Sequence, residues 1–433
     1  MTGLLLLLTV AVQSPMQTTD TVPVVTLDEA LREAVRLDPE YVRAAGLLDN
    51  AEWARKAALL VFLLPSVTAS ADYSEFSTSQ FNIGIGSAAN ASGRFSLDAR
   101  YEIFAGGRKF AASRQAAAEL EAASAGELGT RFLIALATER DYYAVLGERE
   151  LLDVARQRET RAREQFALAR ARVQGGATVQ SDSLQVLLEL QRAETDVLNR
   201  EAALTVARLQ LGRRVGSGGP VDAAPLPDVL TADLPLTLNA AVTLAVSQGP
   251  AWRQARARER ASDAALRGAR GSYLPTVALT GAITANDNKF FPTATTRRAI
   301  GVNLSWPLWN GGQRELAIER AETSRDVARA VREDLERGAR RDVTEAYTAH
   351  QVANRTQAIA TSAVAVASEV LRVQQVRYQA GASTVLELLD AQAQLVQAQA
   401  DLVQARYAVR LARASLEAIL GRRLTSDSTP SDP

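Results

Sequence analysis

The sequence predicts a mainly α-helical protein with two pairs of β-strands, built from one structural plan repeated in tandem. Three observations predict this fold: landmarks that recur in the same order in both halves, stretches of alternating polar and apolar residues, and two very long helical stretches. Alternation is the period of a strand, whereas apolar residues three and four apart indicate a helix. The first repeat is predicted over 21–215 and the second over 237–421.

The repeat is visible in four pairs of segments. They are TLDEALREAVRLDP (26–39) with TLNAAVTLAVSQGP (237–250), LLPSVTAS (63–70) with YLPTVALT (273–280), YEIFAGGRK (101–109) with WPLWNGGQR (306–314), and QGGATVQSD (174–182) with QAGASTVLE (379–387). Self-similarity at this scale predicts two copies of one structural unit. Residues 216–236, rich in Gly and Pro, are predicted to link them, and 422–433 are predicted to be a disordered tail.

The N-terminus carries an apolar run from Leu4 to Val12 that has the length of a signal-peptide core. We therefore predict a signal peptide over 1–20 and export of the mature chain. No Lys or Arg precedes the run, so the alternatives are a misassigned start codon or an apolar terminus that is not a signal.

The composition excludes several classes of protein. Lys+Arg and Asp+Glu both number 49, so no net positive charge favours nucleic acid. Cysteine is absent and His350 is the single histidine, which excludes thiolate metal sites and histidine-based triads. Only carboxylate or lysine chemistry is left for an enzyme, so the protein is predicted not to be one, and an enzyme is the weaker alternative. No cofactor or metal is predicted, and His350 is predicted to lie on a helix surface.

Four strands are predicted, over about 66–76, 94–104, 276–284 and 299–309. Each has one apolar and one polar face. Four strands cannot close a membrane pore alone, because unpaired backbone edges are not tolerated in hydrocarbon. The strands therefore form either a small soluble sheet or one barrel pooled from several chains, and the aromatic residues Tyr101, Trp306 and Trp309 near the strand ends favour the barrel.

Long helices are predicted over about 108–174 and 313–379, with returning helices over about 179–211 and 384–420. A helix of about 100 Å needs a lengthwise partner. The last helix offers a seam of residues seven apart, which predicts coiled-coil packing. Its members are Leu388, Leu395, Leu402, Val409 and Leu416, with Ala391, Ala398, Ala405 and Ala412 beside them.

The tandem repeat, YEIFAGGRK, WPLWNGGQR and RYQAGASTVLELLDAQ (377–392) resemble the TolC family of outer-membrane efflux proteins over about 26–421. The resemblance implies a homotrimer whose strands form one twelve-stranded β-barrel in outer-membrane lipid, continued by an antiparallel α-helical coiled-coil barrel across the periplasm. It also implies a passive exit duct that works with a periplasmic adaptor (membrane fusion) protein and an inner-membrane transporter. The resemblance does not specify whether the exported cargo is a drug, a metal or a protein.

Small residues interrupt the helical pattern between each long helix and its returning partner. We call these turns the first tip (Gly175, Gly176, Ala177 and Thr178) and the second tip (Gly381, Ala382, Ser383 and Thr384). Glycine suits a left-handed turn, and Thr384 with Glu387 has capping-box spacing. By resemblance the tips also dock the adaptor; the alternative is a turn without a partner.

Acidic residues follow the second tip. Glu387 and Asp390 share a helix face, and in a trimer they would form a ring of carboxylates. The resemblance implies that this ring is a gate, and that Asp182 and Tyr378 hold the closed end together. Ser383 stands where the family pattern has an arginine, so a hydrogen-bonded closure is the hypothesis; alternatively, Glu387 only caps the helix and Asp390 faces solvent.

The sequence features are also compatible with a protein of a different functional class. A soluble periplasmic coiled-coil scaffold or adaptor, with its strands in a small sheet, would share the long helices. Salt would release such a scaffold from membranes, whereas a channel would need detergent.

Overall fold

The computed structural model describes residues 22–83, 86–176, 179–226, 234–291 and 295–424. They group into two compact units, one formed by residues up to Glu33 with Asp141–Pro227, the other by Ala34–Arg140 with Asp228–Pro433. The predicted signal peptide lies outside the described residues, as does the predicted tail from residue 425 onward. Among the described helices, none combines the length and apolarity needed to cross a membrane.

Eight α-helices and six strands account for most of the described chain. In chain order they are β1 (Val24–Val25), α1 (Leu27–Leu37), α2 (Pro39–Leu63), β2 (Ser66–Asn82), β3 (Ser87–Ala105), α3 (Arg108–Gln174), α4 (Gln180–Arg214), β4 (Asp222–Ala223), α5 (Leu238–Gln248), α6 (Pro250–Arg270), β5 (Thr276–Asp287), β6 (Thr295–Ser305), α7 (Gln313–Gln379) and α8 (Val385–Leu420).

The long helices α3 and α7 are each 67 residues long, or about 100 Å at about 1.5 Å per residue. Each follows a strand exit that turns through two glycines with positive φ. At Gly106, a Cβ atom would also lie 2.3 Å from the carbonyl oxygen of Gly271. Positive φ therefore explains both Gly-Gly pairs, and close packing is an additional reason for glycine at Gly106.

Helix α8 returns along α7 and buries the predicted seam over most of its length. Leu402 is only half-buried, and the neighbouring Val403 is buried instead. Near its C-terminal end α8 also packs against α5, so the buried face becomes broader there. The buried seam residues are Leu388, Leu395, Val409, Leu416, Ala391, Ala398 and Ala405.

The four long strands form one antiparallel sheet in the order β2-β3-β5-β6. The strands of the first predicted repeat thus pair with those of the second, through β3 and β5. Strand β2 reaches Asn82 and β3 starts at Ser87, so both extend beyond the predicted bounds at about 76 and 94. Strand β6 stops at Ser305 rather than near 309, because Pro307 has no N–H for the ladder.

One face of this sheet is apolar and exposed. On β6, Ile300 is 86% exposed, and Val302 and Leu304 on the same face are also exposed. The opposite face carries most of the strand charges, including Asp72, Arg94 and Asp98. Strands β2 and β6 are the sheet edges, and neither has a further partner among the described strands.

Two aromatic residues at the strand ends make equivalent hydrogen bonds in the two repeats. The Tyr101 hydroxyl donates to the carbonyl of Phe62 at 2.8 Å, and Trp306 Nε1 donates to the carbonyl of Tyr273 at 3.1 Å. Each bond ties a strand to the segment that precedes its neighbouring strand in the same repeat.

His350 is buried, at 2% exposure, and is not on a helix surface as the sequence suggested. It shares one face of α7 with Val343 and Ala346, which lie seven and four residues earlier and are also buried. A single polar residue in a long helix cannot reveal which face its partner helices cover.

Candidate functional site

The second tip is closed by a compact turn after α7. Gly381 has φ +73°, a conformation that costs other residues energy. Its N–H donates to the carbonyl of Tyr378 at 3.0 Å, and the N–H of Ala382 donates to the carbonyl of Arg377 at 2.8 Å. These bonds pair carbonyls that the helix end leaves without partners.

Thr384 starts the returning helix. Its backbone is extended, and its hydroxyl accepts a hydrogen bond from the N–H of Glu387 at 3.3 Å. The Glu387 carboxylate also lies 3.4 Å from that hydroxyl. Thr384 is therefore the helix cap, and Glu387 is a first-turn carboxylate near the positive end of the helix dipole.

Glu387 and Asp390 are both exposed on the first turns of α8. Gln394 Nε2 donates to Asp390 at 2.7 Å. In the described part of the chain, no Lys or Arg forms an ion pair with either carboxylate.

Tyr378 and the hydroxyl of Ser383 are shielded from solvent. Tyr378 is only 8% exposed, and the Ser383 hydroxyl is enclosed without a hydrogen-bond partner among the described groups. Tyr378 is thus a buried residue close to the second tip. The second hairpin therefore brings four of the predicted residues together: Tyr378, Ser383, Glu387 and Asp390.

The first tip differs from the second. Gly175 follows α3, and Gly176 has φ +71°. Ala177 and Thr178 lie outside the described residues. Helix α4 begins after Val179, which makes no side-chain cap bond, and Asp182 in its first turn is half-buried. Asp182 belongs to the compact unit that contains Asp141–Pro227, whereas the second-tip residues belong to the other unit.

A charged cluster at the end of α8 was not recognised from the sequence. Arg423 forms ion pairs with Glu139 and Glu417, both nearly fully buried, and Glu417 also accepts the N–H of Leu424 at 2.9 Å. Burial alone would lower the pKa of the Arg423 guanidinium, but the two carboxylates offset this and raise it. The cluster anchors the chain end after Gly421, and its members lie too far apart in sequence to form a motif.

A second cluster joins α6 to α7. Trp252 Nε1 donates to Glu336 at 3.0 Å, and Arg332 pairs with Glu336 and Glu259. The Trp252 hydrogen bond and then the Arg332 guanidinium lower the pKa of Glu336. Within the described ranges, no group of three or more His, Cys, Asp or Glu residues has metal-site geometry.

The sequence matches the outer membrane efflux protein family over residues 42–217 and 241–422. It is similar to the outer membrane protein OprJ of Pseudomonas aeruginosa, with 24% identity over 300 residues that cover 67% of this chain and 62% of OprJ. The chain spans less than two thirds of the length of the curated relatives it matches.

Solved structures have the same fold. VceC of Vibrio cholerae is 20% identical and superposes with a TM-score of 0.76 over 92% of this chain and 97% of VceC. The CmeC outer membrane channel of Campylobacter jejuni is 15% identical, with a TM-score of 0.78 over 93% of this chain and 87% of CmeC. At these identities the likeness establishes the fold, while the family match establishes the relationship and with it an outer-membrane location. The chain therefore belongs to the outer membrane efflux protein family.

Proposed function

We propose that this protein is the passive outer-membrane exit duct of a tripartite efflux pump or a type I secretion system. One observation carries the proposal: a four-stranded sheet with an exposed apolar face and two free edges continues directly into helices of about 100 Å. The apolar face suits lipid, and the long helices suit a path across the periplasm. Family members transport rather than catalyse, which supports a channel over an enzyme.

Three copies would close the sheet. An eight-stranded barrel from two copies would have an interior filled by side chains, whereas twelve strands leave room for a water-filled path. Closure would join β6 of one copy to β2 of the next and remove both edges. The helices that adjoin these edges, α2 and α7, also expose apolar side chains, including Trp53 and Leu60 on α2 and Val327 and Val331 on α7.

The tips are proposed to dock a periplasmic adaptor, which connects the duct to an inner-membrane transporter that supplies the energy. Glycine and alanine leave the tip backbone open to close approach, and a Cβ atom added at Gly176 or Gly381 would meet no other atom within 4 Å. The proposed docking residues are Gly175, Gly176, Ala177, Thr178, Gly381, Ala382, Ser383 and Thr384.

The gate is proposed to lie just beyond the second tip. In a trimer, Glu387 and Asp390 would place six carboxylates around the duct and attract cations. Asp182 and Tyr378 would help to close this end. The buried position of Tyr378 favours a role in holding the hairpin shape, and the serine at 383 favours closure without a charge pair.

The test is reconstitution of the purified protein. We expect it to require detergent for extraction from outer membranes, to have the native mass of a trimer, and to conduct ions in planar lipid bilayers. Release by high salt, together with no conductance, would instead identify a soluble scaffold.

A further inference from the structure

The apolar face of the sheet carries two exposed charged residues within the described strands. Glu75 lies on β2 and shares the face of Val67 and Tyr73, while Arg298 lies on β6 and shares the face of Ile300. Asp287 is on the same face but is buried. Neither Glu75 nor Arg298 forms an ion pair with another described residue, although a charge on a lipid-facing surface is unfavourable.

The two residues have opposite charge and lie on opposite edges of the sheet. In a closed ring of identical copies, β6 of one copy pairs with β2 of the next. Each junction therefore brings the Arg298 edge of one copy against the Glu75 edge of another. Opposite charges facing one another across strands stabilise pairing, and like charges oppose it.

The strand register limits which residues can meet. Within one copy, the row through Arg298 passes Ile283 and Leu97 and reaches β2 at Ala69. Closing a barrel displaces this row along the strands by a fixed shear, which must be an even number of residues per copy so that each face stays on its own side.

The strand ends give the direction of this displacement. The row through Thr295, the first residue of β6, reaches β2 at Asp72, yet β2 continues to Asn82. At the other end, the row through Ser66 reaches β6 at Gly301, yet β6 continues to Ser305. Strand β6 of one copy and β2 of the next therefore pair over their greatest length when the row through Arg298 meets β2 at a residue beyond Ala69, in the direction of Asn82.

Barrel tilt fixes the size of the displacement. With a rise of about 3.3 Å per residue and strands about 4.8 Å apart, twelve strands tilt by about 35° for four residues per copy, about 46° for six and about 54° for eight. Strands of outer-membrane barrels tilt by about 35–45°, so displacements of four or six residues per copy are compatible with such a barrel. A displacement of six residues places Glu75 directly opposite Arg298. A displacement of four residues places Tyr73 opposite Arg298, and Glu75 then lies diagonally across from Arg298.

We propose that Glu75 of one copy and Arg298 of the next form an ion pair at each junction of the barrel, on its lipid-facing side, and that this pair fixes the register of assembly. The inference rests on the proposed trimeric duct. In the six-residue register both charges are neutralised. A register in which Arg298 faces Ala71 or Ala69 leaves both charges against lipid, so it is disfavoured.

Because the chain has no cysteine, the register can be tested by disulfide formation in the full-length protein. We expect Glu75→Cys with Arg298→Cys to give covalent trimers on oxidation, at least ten times more than the matched pair Ala71→Cys with Arg298→Cys. Stronger cross-linking through Ala71, or none through Glu75 in a protein with native trimer mass, would overturn the inference and leave the proposed duct intact. Absence of trimers would overturn the proposed duct itself.

Charge exchange gives a second test. We expect Arg298→Glu to lower the temperature at which trimers dissociate in detergent, and the added change Glu75→Arg to restore most of the loss. Arg297→Glu is the matched control, since its side chain belongs to the polar face and Glu75→Arg should give it no recovery. A double variant no more stable than Arg298→Glu would contradict the pair.

Discussion

Thr384 caps helix α8 by accepting a hydrogen bond from the backbone N–H of Glu387 at 3.3 Å. This bond starts the helix that carries both proposed gate carboxylates. The corresponding helix of the first hairpin, α4, begins at Val179 with no side-chain cap bond. The two hairpins therefore differ in how firmly the returning helix begins.

Removing the cap should destabilise the second hairpin. We expect Thr384→Ala to cost about 1 kcal/mol in the free energy of unfolding, while Thr384→Asn retains most of the stability. Denaturant unfolding followed by circular dichroism in detergent measures the difference. The matched change Val179→Thr should raise the free energy of unfolding. If Thr384→Ala and Thr384→Asn lowered it equally, the capping role of Thr384 would be refuted.

Glycine at 381 should be required for the turn. Gly381→Ala forces a Cβ atom into a left-handed conformation, and we expect a loss of about 1 kcal/mol. Gly338→Ala is the control, because Gly338 lies inside α7 and an added Cβ meets no atom within 4 Å. It should instead stabilise the helix by about 0.5–1 kcal/mol. Thermal unfolding of both variants in detergent tests this difference in sign.

The carboxylates after the second tip should make the duct cation-selective. Neutralising both with Glu387→Gln and Asp390→Asn removes six negative charges per trimer, so we expect the potassium-to-chloride permeability ratio to fall toward one. Reversal potentials in a salt gradient measure this ratio. Glu369→Gln serves as control, because Glu369 pairs with Arg372; an unchanged ratio in the double variant would argue against the gate.

Glu336 should make the helix packing sensitive to acid. Its folded-state pKa is lowered, by the Trp252 hydrogen bond and then by Arg332, from the ordinary value of 4.5. A lowered pKa contributes stability that is present above the ordinary value and is lost as the pH falls through the folded value. As the pH is lowered from about 5 to about 3, we expect the midpoint of unfolding to fall less in Glu336→Gln than in the wild type. The exposed Asp334→Asn on the same helix is the control, and an identical decline in wild type and Glu336→Gln would contradict the assignment.

Much of the second hairpin follows from local sequence. The glycine turn and the Thr384 cap depend on residues at most a few positions apart, so their spacing predicts their geometry. Burial of Tyr378 does not follow in the same way, because it depends on which face of α7 is covered by other parts of the structure. His350 shows the same limit, since the face it shares with Val343 becomes a buried face only after the helices pack.

The alternation of the strands, the two long helices and the turns between them could be predicted from the sequence alone, because they depend on residues close together along the chain. The tandem repeat stays a prediction. The strand order, in which β3 of the first predicted repeat pairs with β5 of the second, is set only by the tertiary structure. The tertiary structure also decided the anchoring of Arg423 between Glu139 and Glu417, and the placement of Glu75 and Arg298 on opposite sheet edges. These relationships join residues far apart along the chain, and no short-range pattern can specify them because they arise only when whole elements pack and set their register.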